Sequence, residues 1–196
     1  MAEELNRDNT EEKAEEPAIE PAIEPAQEDN GPSPEGAPIF ETDVNITSSV
    51  LYDYLIRHMY NSPMGILATC LGVFMIIVYF MKAPGILYLI CGIIIIIYSP
   101  ISLFFMAKRQ ALSENFKKPL HYSFYENGME ISQDENNAFI PWENTLKAVA
   151  TSKSIMIYTG ANAASLFPRA DLGSETGTLI KIIYSHMDPK KVRIKQ

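Results

Sequence analysis

MGILATCLGVFMIIVYFM (Met64 to Met81), KAP (Lys82 to Pro84) and GILYLICGIIIIIYSPISLFFM (Gly85 to Met106) follow one another without interruption. Each apolar run is about long enough to cross a hydrocarbon core of roughly 30 Å at 1.5 Å rise per residue. Two crossings are therefore expected, at 64–81 and 85–106. A link of three residues cannot span a bilayer, so the second run must return to the side from which the first came. Both polar segments then face one compartment. Neither run carries an ionisable side chain in its interior, which disfavours a pump or carrier, because proton and ion pathways usually need one. Cys70 and Cys91 sit at depths about 6 Å apart along the two arms and read as small buried apolar residues rather than a disulfide.

The chain has 196 residues and a formal net charge of −8. Residues 1–43 hold fourteen Asp and Glu against Arg7 and Lys13, a local −12, so the remainder carries +4. The acidity belongs to the N-terminal segment and not to the protein body. Outside the hairpin and that segment about a hundred residues remain, enough for one small domain. No apolar stretch behind a basic start precedes Asn61, so the first crossing is expected to serve as its own insertion signal. Arg57 precedes the first run, Lys108, Arg109, Lys117 and Lys118 follow the second, and the connection holds only Lys82. Lysine and arginine near the ends of membrane helices favour the cytoplasmic side. The expected address is a cell membrane, with two crossings and both termini cytoplasmic.

Residues 1–38 include PAIE, PAIE and PAQE from Pro17 to Glu28, a proline repeat that forbids continuous helix. This acidic, Pro/Glu-rich tail is expected to be disordered. It is either a solvated spacer or an arm that folds over the basic surface and competes with its partner. Ile39, Phe40, Val44 and Ile46 suggest a short strand before Thr47 or Ser48 caps a helix. Val50, Leu51, Tyr54, Leu55 and Met59 then share one helical face, so 39–61 reads as first strand plus amphipathic helix. The transmembrane hairpin occupies 62–107, with Pro63 at a fresh helix start. Pro100 should kink the second arm or mark the interface. Residues 108–118 are expected to extend that arm into the cytosol until Pro119.

Beyond Pro119 the pattern becomes short strands: Leu120 to Tyr125, Met129 to Ser132, Ala138 to Ile140, Leu146 to Thr151, Ile155 to Thr159 and Ser165 to Phe167. Asn127-Gly128 is a preferred pair for a tight hairpin turn. A helix capped near Ser174 follows, with Leu179, Ile180, Ile183 and Met187 on one face, and Pro189 ends it. With the strand before the hairpin this makes about seven strands. The expected class is α+β with membrane helices, the strands forming a small, strongly bent sheet plugged by the C-terminal helix.

FYENGMEI (Phe124 to Ile131), IPW (Ile140 to Trp142) with Leu146, Lys147 and Val149 after it, the strand Ile155 to Tyr158, and Phe167-Pro168-Arg169 together resemble the YcxB-like family of bacterial membrane proteins. The resemblance runs over about residues 39–188. It implies a cytoplasmic domain at 119–188 similar to a pleckstrin-homology (PH-like) barrel, preceded by a two-helix hairpin, and carries no defined reaction. It also implies a discontinuous domain: the transmembrane hairpin is inserted between the first strand of the barrel, at Ile39 to Ile46, and all the others.

His58, His121 and His186 are scattered, and no HExxH, CxxC, glycine-rich phosphate loop or G-x-S-x-G elbow occurs. No catalysis, metal or cofactor is expected. Lys117 and Lys118 beyond the second arm, with Lys190, Lys191 and Arg193 in the basic tail 189–196, are candidate contacts to anionic membrane lipid, each worth about 1 kcal/mol near the leaflet. Ordinary flanking charge and a solvated tail are the plainer readings. Trp142 either fills the core or contacts a partner from the rim; Arg169 either joins a carboxylate such as Asp171 or binds a partner's acidic group. Gly65, Ala68 and Gly72 let helices approach closely, within the hairpin or between copies. The expected function is a membrane-anchored interaction or regulatory module that binds a protein, peptide or inner-leaflet surface, with no nucleic-acid partner. The alternative is a homo-oligomeric membrane scaffold or pore built by the hairpin.

Overall fold

A computed structural model describes residues 32–81, 85–134, 136–160 and 163–194. The acidic repeat and the Lys82-Ala83-Pro84 connection lie outside the described residues. Strand β1 (Phe40–Val44) pairs antiparallel with β2 (Leu120–Phe124), Phe40 opposite Phe124 and Val44 opposite Leu120. Between these two partners in sequence lie helices α1 (Ser48–Asn61), α2 (Pro63–Phe80), α3 (Leu87–Ala111) and α4 (Glu114–Lys117). Helices α2 and α3 are long and apolar enough to cross a membrane. Pro100 lies inside α3. The stretch after the second arm is shorter as a helix than expected: α3 stops at Ala111 and α4 is a separate turn, entered through Ser113 in extended conformation.

Strands β3 (Gly128–Gln133) and β4 (Asn136–Pro141) complete a four-stranded meander in the order β1-β2-β3-β4. The β2–β3 turn needs its glycine for space. A Cβ at Gly128 would lie 2.5 Å from the Ile140 carbonyl oxygen and 2.5 Å from the Phe139 ring, and its φ is not positive, so the primed turn that Asn-Gly favours is not the reason for it. After β4 a 3₁₀ turn, Trp142–Asn144, carries the chain away, and Thr145 Oγ1 donates to the Trp142 carbonyl at 2.5 Å. Strands β5 (Lys147–Ala150), β6 (Ser154–Tyr158), β7 (Ala164–Pro168) and β8 (Val192–Arg193) form a second sheet, ordered β7-β6-β5-β8.

The expected single barrel of about seven strands is thus corrected to two four-stranded sheets without barrel closure. Pro141 has no N–H to continue a ladder, and the turn after it ends the pairing. The eighth strand comes from the segment expected to be a free basic tail. Val192 lies opposite Ala148 in parallel register, Ala148 N donates to the Lys191 carbonyl at 3.0 Å, and Val192 and Ile194 are buried.

Alternation in β6 assigns the layers. Ile155 is paired with Phe167 of β7, and Phe167 meets Tyr122 and Phe124 of the first sheet at 4.6 and 5.6 Å between ring centroids. The opposite face, with Met156 and Tyr158, lies under α1. Tyr54 approaches Tyr158 at 5.9 Å, Thr151 Oγ1 donates to Asp53 at 2.7 Å, and Lys153 Nζ donates to Ser49 at 2.9 Å. Every residue of β6 and β7 is buried, as expected for strands covered on both faces. Burial pushes the phenols of Tyr54 and Tyr122 well above their ordinary range. Helices α5 (Arg169–Leu172) and α6 (Thr176–His186) follow β7, and α6 buries Leu179, Ile182 and Ile183. Leu103 and Ala107 of α3 join the same buried cluster as both sheets.

The pairing across the helices carries a direct consequence. Deleting residues 39–46 is expected to leave β2 as a raw edge and make residues 119–194 sensitive to limited proteolysis in detergent, although the deleted segment precedes both long helices. Phe167→Ala, which empties the seam between the sheets, is expected to destabilise the domain by about 3–5 kcal/mol, read by chemical unfolding. Unchanged protease resistance after the deletion would contradict the shared sheet.

Candidate functional site

The residues singled out from sequence are for the most part engaged within the chain. Lys117 pairs with Glu114, whose carboxyl is held below its usual range by that hydrogen bond and charge. Lys118 reaches Asp134 at 2.7 Å. Lys191 Nζ donates to the Thr145 carbonyl at 2.9 Å, fastening β8 beside the 3₁₀ turn. Lys190 and Arg193 are exposed, so the five positions do not form one field of uncompensated charge. Exposed pairs of this kind contribute little to stability.

Trp142 is 7% exposed, donates from Nε1 to the Tyr125 carbonyl at 2.9 Å, and stacks on His186 at 5.2 Å. It packs into the core at the end of α6. His186 Nε2 reaches Glu126 at 2.9 Å, tying α6 to the β2–β3 turn. Arg169 does not join Asp171: its Nε donates to the Thr151 carbonyl at 3.0 Å, while Asp171 accepts from Asn45 N at 2.6 Å.

The small residues of α2 act inside the molecule. A Cβ at Gly65 would stand 2.0 Å from the Met59 carbonyl oxygen, at the elbow between α1 and α2. One at Gly72 would stand 2.7 Å from Ile96 of α3. Its counterpart, missed from the sequence, is Gly92, where a Cβ would fall 2.7 Å from the Gly72 carbonyl oxygen. Small residues at facing positions of both arms were the signal available. Ala68 is half-buried. Cys70 and Cys91 are free thiols.

Two polar constellations arise only in the folded chain. On the outer face of the first sheet, His121 Nδ1 donates to Asp43 Oδ1 at 2.7 Å, and Ser123 Oγ lies 3.3 Å from both His121 Nε2 and Glu41 Oε1. Serine, imidazole and carboxylate stand in the order of a hydrolytic relay. Ser123, however, occupies a central strand, where its N–H enters the ladder, whereas an oxyanion needs free backbone N–H groups beside the nucleophile. What the cluster does in the structure is tie β1 to β2. Among the described residues no group of three His, Cys, Asp or Glu is placed to hold a metal ion.

The second constellation lines a cleft of about 240 Å³ at the α1–α2 elbow, built from His58, Asn61, Ser62, Leu146, Lys147, Tyr158 and Gly160. Helix α1 lying along the second sheet brings its last turn to the start of β5 and the end of β6. Lys147 Nζ sits 4.3 Å from the Tyr158 ring centroid. His58 stacks on Tyr54 at 5.8 Å, and its pKa is lowered, first by burial and then by the Lys147 charge. Burial raises the Tyr158 pKa, with the Arg57 charge opposing. Asn61 Nδ2 donates to the Arg57 carbonyl at 2.8 Å, and Ser62 Oγ donates to the Met59 carbonyl at 2.8 Å while accepting from Gly65 N at 3.1 Å. Asn61 and Ser62 thereby hold the elbow, and His58, Lys147 and the largely buried Tyr158 ring complete the lining. His58 and Lys147 are too far apart in sequence for spacing to have paired them.

The architecture defines a class: a two-sheet α+β domain with a pair of long apolar helices inserted after its first strand. Residues 124–178, from the end of β2 into α6, match the model of the family described as YcxB-like protein. No curated protein and no solved structure matches the chain.

Gly92→Leu is expected to separate α2 from α3, because the new side chain meets backbone, and to lower the thermal midpoint in detergent more than Gly72→Ala, whose nearest neighbour is the flexible Ile96 side chain. Equal midpoints for the two variants would contradict the crossing. His58 titrates lower folded than its ordinary 6.5, so its neutral form adds stability above that value that is lost as pH falls below it. His58→Gln is expected to lessen the loss of stability on acidification, measured as the thermal midpoint against pH.

Proposed function

We propose that this protein is a membrane-anchored interaction module. Helices α2 and α3 cross a cell membrane as a hairpin, both polar segments lie on the cytoplasmic side, and the two-sheet domain presents a binding surface at the inner leaflet. The observation that carries this reading is the shared core: Leu103 and Ala107 of α3 are buried with α1 and both sheets. A domain hung on a flexible tether would sample all orientations. One whose core includes the foot of its anchor meets the leaflet, and any protein or peptide arriving there, with a fixed face. The charge asymmetry supports the orientation, with Arg57, Lys108 and Arg109 at the domain end and Lys82 at the connection. The consumption of Gly65 and Gly72 within the chain favours this module over a scaffold or pore assembled through the hairpins. A protein or peptide partner would find the unpaired edge of β4 open to strand addition.

Two measurements test the proposal. Reporter fusions at either terminus are expected to report the cytoplasm, and one inserted at Ala83 the opposite side. Replacing α2 and α3 down to Pro100 by an unrelated two-helix hairpin of equal length is expected to leave co-purifying partners unchanged in gently solubilised membranes. Loss of every partner on that exchange, with the domain still folded, would instead assign the activity to the hairpin.

A further inference from the structure

We propose that the cleft at the α1–α2 elbow is a binding site for a phosphate-bearing anion, held by Lys147 and His58, with the Tyr158 ring behind the Lys147 ammonium. The inference deepens the membrane-module reading and rests on it only for the source of the anion. Its chemistry is read from the lining. Among the described lining residues none is a carboxylate, whereas Lys117 and Lys118 are each neutralised by one. Among the described residues Lys147 has no carboxylate partner, and its ammonium rests on the face of Tyr158. A cation stacked on an aromatic ring keeps its N–H donors free on the side away from the ring. His58 adds a second donor from α1, while the Tyr158 hydroxyl is buried, 4.0 Å from the Met156 sulfur, and the residue contributes its ring. Two donors from two elements, Lys147 on β5 and His58 on α1, converging on one space match the acceptor oxygens of a phosphate.

Position and size narrow the ligand. Asn61 and Ser62 immediately precede Pro63, the first residue of apolar α2, so the cleft opens at the level where a lipid phosphate lies if α2 enters the bilayer there. Leu146, 52% exposed, forms an apolar lip beside it. Pockets for drug-sized molecules run from about 300 Å³ upward; about 240 Å³ suits a phosphate with a small substituent. An anionic phospholipid headgroup and a free phosphate share this chemistry.

The site also has an electrostatic signature. His58 stacks on Tyr54 of its own helix and feels the Lys147 charge on β5, while Arg57 and Asp53 of α1 act on Tyr158 of β6. Burial and the Lys147 charge disfavour the imidazolium. An anion between His58 and Lys147 reverses that balance, so binding takes up a proton.

The test uses the full chain in neutral detergent with three probes: phosphatidylglycerol, phosphatidylcholine and inorganic phosphate, at constant ionic strength. Binding is followed by native mass spectrometry for the lipids and by thermal shift for phosphate. Phosphatidylglycerol is expected to bind in preference to phosphatidylcholine, and its affinity to rise as pH falls through the imidazole range. Lys147→Gln is expected to weaken it about tenfold, Lys147→Arg to retain it, and His58→Gln to abolish the pH dependence. Lys117→Gln serves as the control for general surface charge and should change nothing. Inorganic phosphate binding with the same dependence on Lys147 and His58, without lipid preference, also supports the site and names a soluble anion as its source. Affinity for both anions unchanged in Lys147→Gln, or weakened equally in Lys117→Gln, overturns the proposal. Carbonate extraction of cell membranes separates the two readings: a chain released from membranes contradicts the anchor and leaves the phosphate arm to decide the cleft.

Discussion

The ladder between Phe40–Val44 and Leu120–Phe124 is the constraint on which the rest of the structure depends. It makes β2 an interior strand, and β2 carries Tyr122 and Phe124, the aromatic residues that join the first sheet to Phe167 of the second. It also closes a loop containing every residue of α1, α2 and α3. Loop-closure entropy grows only with the logarithm of length, so the long insertion is tolerated, and two antiparallel helices shorten the effective gap by returning the chain to where it left. The His121–Asp43 hydrogen bond on the outer face reinforces the same pairing where the backbone alone would leave an exposed edge strand.

From this constraint follows the part played by α1. The chain leaves β1 next to the second sheet, and α1 covers that sheet's outer face with Val50, Leu51, Tyr54 and Leu55 before the elbow at Ser62. The helix is therefore a structural layer, packed on one side against Tyr158 and on the other against α3, where Tyr52 meets Phe104 edge-on at 5.8 Å. Under the proposed topology this layer sits between the leaflet and the sheets, and the elbow cleft is where the three meet. A displacement of the helices would be transmitted to Tyr54 and Tyr158 directly, because packed interfaces shift as units and do not deform freely.

Much of this arrangement is legible in the sequence, for identifiable reasons. The apolar runs at 64–81 and 85–106 and the amphipathic face of α1 are periodic signals of several turns, and strong periodicity survives tertiary context. The strands around Asn127-Gly128 and Ser152–Ser154 are bounded by turn residues that leave few choices. What escapes is set by encounters between distant segments. Nothing local distinguishes a sheet that closes from one that parts at Pro141, and Lys191-Val192-Arg193-Ile194 reads as a basic tail until Ala148 is known to lie beside it. The sequence offers Arg169 the neighbouring Asp171, whereas the fold brings it to the Thr151 carbonyl. The elbow cleft escapes for the same reason: His58 and Lys147 read as a helix residue and a strand residue, and only the packing of α1 on the second sheet gives them a common space.

The most direct test of the account is a disulfide trap across the β1–β2 pair. In a chain with Cys70 and Cys91 replaced by alanine, Asp43→Cys combined with His121→Cys places two thiols at directly opposed positions, within the span of a disulfide. Asp43→Cys combined with Ser132→Cys, one strand further away, exceeds it. Mild oxidation of the purified protein, followed by digestion and mass spectrometry, is predicted to yield the 43–121 cross-linked peptide and no 43–132 peptide. Absence of the 43–121 link, or equal yields of both, would contradict a domain built across its own helical hairpin.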